Sequence, residues 1–226
     1  MGINYGRYVN RKGVILHYDA ANIKSYSTSG TVWRDLSGGN HHGDLLGGVS
    51  YLSEFKGALS FNGSDQVCVT QLPAATIGES FSALCYFTKE GVGNSSATAN
   101  RLLSADRTNN ATKWCIGLRR NGNLQFGGRG GIDTSLNFPI PHGKPTFVAL
   151  VHNHDEYSLW IDNEKVVDRQ SSSIDSQSNG NLAIGGRTRV TDRYWEGNIY
   201  EVKVFDKLLT DSEVSRFYQT MKLRFT

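Results

Sequence analysis

The residues from Gly197 to Tyr218, GNIYEVKVFDKLLTDSEVSRFY, constrain the fold of this chain more than any other stretch. Ile199, Tyr200, Val202, Val204 and Phe205 put β-branched and aromatic bulk on both faces of an extended segment. A strand that is apolar on both sides is expected to be central, with one layer above it and another below. Thr210 and Glu213 then form a T-x-x-E capping box, in which each satisfies an orphan backbone N–H of a helix start. Val214, Phe217, Tyr218 and Met221 follow at i, i+3, i+4 and i+7, so the spacing predicts a helix over 210–220 with one apolar stripe. No other segment carries a convincing helical period.

The rest of the chain reads as about a dozen short strands with turn signals every ~8–12 residues. They run through Val14–Tyr18, Ala58–Phe61, Gln66–Thr70, Ser80–Thr88, Arg101–Ser104, Lys113–Leu118, Asn123–Phe126, Pro145–Val151, Tyr157–Ile161, Lys165–Val167 and Asn181–Gly185. The pair 58–61 and 66–70 reads as a hairpin around Asn62-Gly63-Ser64-Asp65, and Asn121-Gly122 as a two-residue type I′ turn. In Tyr157–Ile161, alternation sends Tyr157, Leu159 and Ile161 to one face, and Ser158, Trp160 and Asp162 to the other. Residues 31–43 should form a long ordered loop pinned by Trp33. The pattern is that of an all-β, two-sheet antiparallel β-sandwich, a jelly roll, with one short C-terminal helix. At 226 residues the chain can build one large core, so residues 13–226 are expected to be a single domain behind a polar arm at 1–12.

Several function classes lose support at this level. A net charge of +3, with Lys and Arg scattered, does not suggest a nucleic-acid partner. No run approaches the ~18 apolar residues of a membrane helix. The first residues show no apolar secretory region, which implies synthesis in a cytoplasm without a signal peptide. Gly2 is not followed by Ser or Thr at position 6, where Gly6 stands, so a myristoylation motif is missing. Cys68, Cys85 and Cys115 are odd in number and lie in apolar runs, so they read as small buried hydrophobes. Asn62, Asn94 and Asn110 open N-x-Ser/Thr triplets, which read as coincidental without an export signal. His41 and His42 are adjacent, with no further ligand at metal spacing, and read as part of a solvated turn. The glycines at 127–131 lack the spacing of a phosphate cradle and read as a loop.

Three blocks carry a family resemblance: YDAANIKSYSTSGTVWRDLSGGNHHGDL at 18–45 followed by GALSFNGSDQVCV at 57–69, GKPTFVALVHNHDEYSLWIDNEKV at 143–166, and NLAIGGRTRVTDRYWEGNIYEVKVFDKLLTDSEVSRFY at 181–218. In that order they resemble the laminin-G-like, concanavalin A-like jelly-roll domains, most closely the branch found in bacteriophage structural proteins. The resemblance covers the chain from about residue 13. It implies two antiparallel sheets face to face, a concave side where relatives bind sugars, and a C-terminal helix that closes one edge or end of the sandwich.

Three functions follow as expectations. The first is a non-enzymatic virion structural or adhesion protein (a decoration, neck or fibre subunit), partnered by itself and other virion proteins and by a host surface glycan. There the arm would anchor through Tyr5, Arg7, Tyr8 and Arg11, and self-association is expected because virion parts repeat by symmetry. The second is a lectin. Sugar sites combine aromatic faces with fixed polar groups, and Arg187, Arg189, Asp192, Tyr194 and Trp195 are the candidates. The third is a glycan-degrading enzyme. Jelly-roll glucanases place paired carboxylates on one strand, whereas Asp155, Glu156, Asp162 and Glu164 lie at turns and Glu201 stands alone in an apolar strand. No catalytic residue is assigned. Calcium assists sugar binding in relatives, and Asp19, Asn62 and Asp65 offer hard oxygens in turns, but no contiguous calcium loop exists, and no cofactor or metal is assigned.

Overall fold

The structure is a computed structural model that describes residues 12–92, 100–106, 112–127, 134–171, 174, 180–188 and 193–226. The anchoring residues Tyr5, Arg7, Tyr8 and Arg11 lie outside the described residues, as do Arg189 and Asp192. In chain order the strands are β1 Val14–Asp19, β2 Val32–Trp33, β3 Gly43–Leu46, β4 Ser50–Leu52, β5 Ala58–Asn62, β6 Val67–Pro73, β7 Ser80–Lys89 and β8 Asn100–Asp106. They continue with β9 Thr112–Leu118, β10 Asn123–Gly127, β11 Thr134–Pro139, β12 Thr146–Asn153, β13 Glu156–Ile161, β14 Glu164–Ser171, β15 Asn181–Ile184 and β16 Glu196–Phe205. One α-helix, α1 Asp211–Lys222, follows the last strand.

These strands form two antiparallel eight-stranded sheets. The first runs β14-β13-β12-β7-β16-β5-β4, with β1 also paired to β16. The second runs β11-β10-β9-β8-β15-β6-β3-β2. The strand predicted to be central is central: β16 pairs with β7 along one side, and with β5 and then β1 along the other. Its inward residues Ile199, Val202 and Val204 enter the core between the sheets. That core also holds the stacked pairs Tyr18–Trp33 (4.9 Å between centroids) and Phe81–Trp114 (4.8 Å), and the edge-on pair Phe87–Trp195 (5.1 Å).

The second layer over β16 is α1 itself. Thr210 and Glu213 make the expected reciprocal capping box. Val214, Phe217 and Met221 then pack on Leu84, Tyr86, Phe147, Ala149, Trp160, Tyr200 and Phe205, the outward residues of the first sheet. The helix therefore lies across a sheet face rather than closing an edge or end of the sandwich. The reason is legible in the strands it covers: Trp160, Tyr200 and Phe205 are apolar residues at outward positions and need a cover. Burying each such side chain is worth about 1.5–3 kcal/mol before entropic costs.

Two turn predictions are corrected. Residues 58–61 and 66–70 are not a hairpin, because β5 pairs with β4 and β16 in the first sheet while β6 pairs with β3 and β15 in the second. The Asn62–Asp65 turn carries the chain across the sandwich. The β9–β10 hairpin exists, but Asn121 keeps a negative φ and only Gly122 is left-handed (φ 80°), closing on Arg119 O at 2.8 Å. A type I′ turn needs positive φ at both residues, so this is a longer turn with the glycine in its last position. The predicted faces of β13 hold: Tyr157 and Leu159 are in the core, and Trp160 lies under the helix.

The stretch 31–43 is pinned by buried Trp33, as expected, but Val32–Trp33 form strand β2 and Gly43 opens β3, and the turn between them is organised by Asp35. Its carboxylate accepts from the backbone N–H of His17 (3.0 Å), Ser37 (2.8 Å) and His41 (3.2 Å), which covers the free edge of β1. His42 accepts from the Asp35 N–H at 3.2 Å and His41 contacts Gln71 O at 3.2 Å, so the histidine pair is half-buried and structural rather than a solvated turn.

Candidate functional site

The outer faces of the two sheets differ. That of the first sheet is covered by α1 and by the C-terminal residues. The second sheet presents, on its outer side, Asp44 and Leu46 of β3, Val67 and Val69 of β6, Ala183 of β15, Arg101 and Ser104 of β8, Cys115 and Gly117 of β9, and Gln125 of β10. Register and the core residues fix this assignment: Ala183 pairs with both Val69 and Ser104, and Gly117 pairs with both Arg101 and Gln125, while Leu182, Ile184, Ile116 and Phe126 point into the core.

Arg101 is only 6% exposed and Gln125 only 5%. Arg101 Nη1 donates to Cys115 Sγ, whose thiol in turn donates to Gly127 O at 3.2 Å. Among the described residues, Arg101 Nε and Gln125 Oε1 are buried with no hydrogen-bond partner. Burying such groups unpaired costs free energy, and for a charged group the cost is large. The backbone of Arg101 is fixed by its N–H to Arg193 O at 2.9 Å. Gly117 is required where it stands, because a Cβ there would lie 1.9 Å from Asn100 O.

The predicted aromatic pair divides between the two sides. Tyr194 packs with Val67, Ala183 and Val69 on the outer face of the second sheet, beside Gly186. Trp195 is 1% exposed and points into the core against Phe87, held by its N–H to Gly185 O (2.9 Å) and by Gly63 N–H to its carbonyl (2.8 Å). Trp195 is therefore corrected from a sugar-stacking candidate to a core residue, because consecutive residues of an extended segment face opposite ways. Arg187 is also buried. Sequence reasoning missed Arg101 and Gln125. Gln125 carried a signal, as a long polar residue between Leu124 and Phe126, whereas Arg101 stood beside Asn100 in a strand with several polar residues.

The acidic candidates are engaged elsewhere. Asp162 accepts from Phe147 N–H at 3.0 Å and Glu156 pairs with Arg169 at 2.9 Å. Asn62 Nδ2 donates to Asp65 at 2.8 Å, while Asn62 Oδ1 accepts from the N–H of Ser64 at 2.9 Å. His17, Asp19 and Glu201 bring their ligand atoms within 4.8 Å, the spacing of a cation site. Two cations already stand there. Lys203 contacts Glu201, and Arg224 donates to Asp19 at 2.9 Å and to the carbonyls of Phe55 and Gly57. Burial pulls the Lys203 ammonium down to about 7, against the upward pull of Asp19. A metal ion would meet the permanent charge of Arg224 on Asp19, so this donor set does not fit one, and its role is to tie the C-terminus to β1 and β16. Glu201, the lone carboxylate of its apolar strand, is buried and hydrogen-bonded to His17 at 3.0 Å. A separate groove of about 440 Å³ opens between β11 and β14, lined by Leu136, Phe138, Val166 and Val167. Its one carboxylate, Asp168, is taken by Lys165 at 3.2 Å.

Comparison with solved structures finds the same sandwich at low sequence identity. A Trypanosoma rangeli sialidase in complex with sialic acid matches with a TM-score of 0.72 and 14% identity, over 94% of this chain and 33% of the sialidase. The chain thus spans about a third of that enzyme's length. Domain 4 of a GH43 extracellular arabinanase from Geobacillus stearothermophilus, in complex with arabinotriose, matches with a TM-score of 0.69 and 17% identity, over 91% of this chain and 98% of that domain. The binding domain of Paraclostridial Mosquitocidal Protein 1 matches with a TM-score of 0.68 and 13% identity, over 92% and 52%. No curated protein matches by sequence. A laminin G family, described as the concanavalin A-like lectin/glucanases superfamily, matches residues 61–215, and with that match and this architecture the chain belongs to it.

Proposed function

We propose that this chain is a carbohydrate-binding domain that works without catalysis, through the outer face of its second sheet. The observation that carries the reading is the pair of buried, unpartnered polar groups on that face, Arg101 Nε and Gln125 Oε1, beside the apolar cluster of Tyr194, Val67, Val69 and Ala183. Sugar sites combine these two ingredients: an apolar surface for the ring and fixed polar groups for its substituents. The arabinanase domain, which this chain matches nearly end to end, is described in complex with arabinotriose, and that supports the reading by analogy of fold. On this proposal the carboxylates Glu156, Asp162, Asp168 and Glu201, already held by their own partners, serve structure.

The role as a bacteriophage decoration, neck or fibre subunit, repeated on a particle and attaching to host glycans, rests on the resemblance of its three sequence blocks. The two proposals are compatible and have separate tests. Saturable binding on a glycan array, abolished by Gln125→Leu at unchanged melting temperature, is expected for the binding domain. Retention of no glycan by the wild-type chain would reject it. A virion subunit co-sediments with purified particles, and removal of residues 1–12 releases it if the arm anchors.

A further inference from the structure

Arg101 poses a chemical question that fold and family leave open. A guanidinium buried to this depth is normally paired with a carboxylate. Here, among the described residues, its partner is a thiol, a weak hydrogen-bonding group, and its Nε has none. Among the residues whose side chains are described, the acidic residue on the same face is Asp44. Asp44 lies three strands away in the order β8-β15-β6-β3, roughly 14 Å at the usual strand spacing.

Gln125 poses the complementary question. It sits on the same row as Arg101, two strands across, with Gly117 between them. Their Cα atoms are therefore about 10 Å apart, a span that one monosaccharide and its substituents fill. The unpartnered atom of Gln125 is its acceptor, Oε1, whereas that of Arg101 is a charged donor. A neutral sugar offers hydroxyl donors for Gln125 but no anion for Arg101. A simple anion such as sulfate offers a charge for Arg101 but no donor for Gln125. A hydroxylated carboxylate offers both.

Resting on the carbohydrate-binding reading above, we propose that the ligand is an acidic glycan whose sugar carboxylate is received by Arg101 while a neighbouring hydroxyl donates to Gln125. The carboxylate is planar, so it matches the guanidinium fork and makes short, charge-assisted bonds. Because the guanidinium is already out of water, the ligand bears less of the desolvation cost on binding. The unbound protein carries that cost as lost stability, a common feature of binding sites.

The test measures binding of oligogalacturonate, a hyaluronan hexasaccharide and sialyllactose, each beside its carboxyl-reduced counterpart, by titration calorimetry. The wild-type chain should bind at least one acid, with its reduced form weaker by about 100-fold or more, in line with loss of a buried charge partner. Arg101→Gln should lose affinity for that acid to a similar degree and melt at the same or a higher temperature, since an unpaired buried charge has been removed. Equal binding of acidic and reduced forms by the wild-type chain would overturn this proposal while leaving the carbohydrate-binding reading intact. No binding of any acidic or neutral glycan would overturn both. A large fall in melting temperature on Arg101→Gln, with acid and reduced forms indistinguishable, would make Arg101 a structural residue and overturn the proposal too. The paired sugars on wild-type protein decide the matter even if the variant does not fold.

Discussion

Replacing Trp195 by Ala separates a core residue from a sugar-binding one. Trp195 is 1% exposed, meets Phe87 edge-on at 5.1 Å, and lies between the two sheets. Truncating a buried Trp to Ala removes its transfer free energy and leaves a cavity, at about 3–5 kcal/mol. For a domain of this size each kcal/mol moves the melting temperature by ~2–4 °C, so the expected fall is about 6–20 °C. Differential scanning calorimetry at neutral pH measures it directly. Any loss of glycan binding in Trp195→Ala should scale with the unfolded fraction and vanish below the lowered transition. A variant that melts within about 2 °C of wild type yet has lost glycan binding would refute the inward placement of Trp195, and with it the division of residues 194 and 195 between the two sides.

Three other outcomes follow from the same reasoning. Phe217→Ala removes the side chain of α1 that meets Phe205 at 5.3 Å; it should cost ~3–5 kcal/mol in denaturant unfolding, and a loss below about 1 kcal/mol would mean the helix is not docked on the first sheet. Arg224→Met leaves Asp19 without its buried partner and frees two backbone carbonyls; a loss of about 3–5 kcal/mol is expected, with faster amide exchange in the last turn of α1, and unchanged exchange there would contradict the tether. His152 is held below its usual 6.5 chiefly by burial, with Lys113 and His154 adding to the fall and Glu79 opposing it. The unfolded chain therefore takes up this proton first as the solution is acidified, so stability is lost below about pH 6.5, by at most ~1.4 kcal/mol for each further pH unit, until the folded protein is protonated too. His152→Gln should flatten the dependence of melting temperature between about pH 7.5 and 5.5, and an unchanged slope would sink the assignment.

The chain's own pattern determined the sandwich, the central position of Glu196–Phe205 and the capped helix after it. Each of these rests on residues close in sequence: bulk on both sides of a strand, alternation along β13, and a capping box four residues long. The same locality explains the errors. Two apolar runs around Asn62-Gly63-Ser64-Asp65 look like a hairpin because a turn that folds back and a turn that crosses between sheets use the same residues. Tyr194 and Trp195 look like one aromatic platform because nothing local says which face is the core.

Only the tertiary structure decided the candidate site. Arg101, Gly117 and Gln125 come from three separate strands, and they meet because antiparallel register aligns β8, β9 and β10. The sequence shows Gln125 as a polar interruption between Leu124 and Phe126 and Arg101 as one of several polar residues in its strand, but pairing partners lie beyond the reach of any local pattern. Whether a buried charge has a counter-charge depends on every strand packed around it, and that sum exists only in the folded chain. The same holds for His17, Asp19 and Glu201. Their proximity suggests a cation site until Lys203 and Arg224, the latter from the far end of the chain, arrive as the cations themselves.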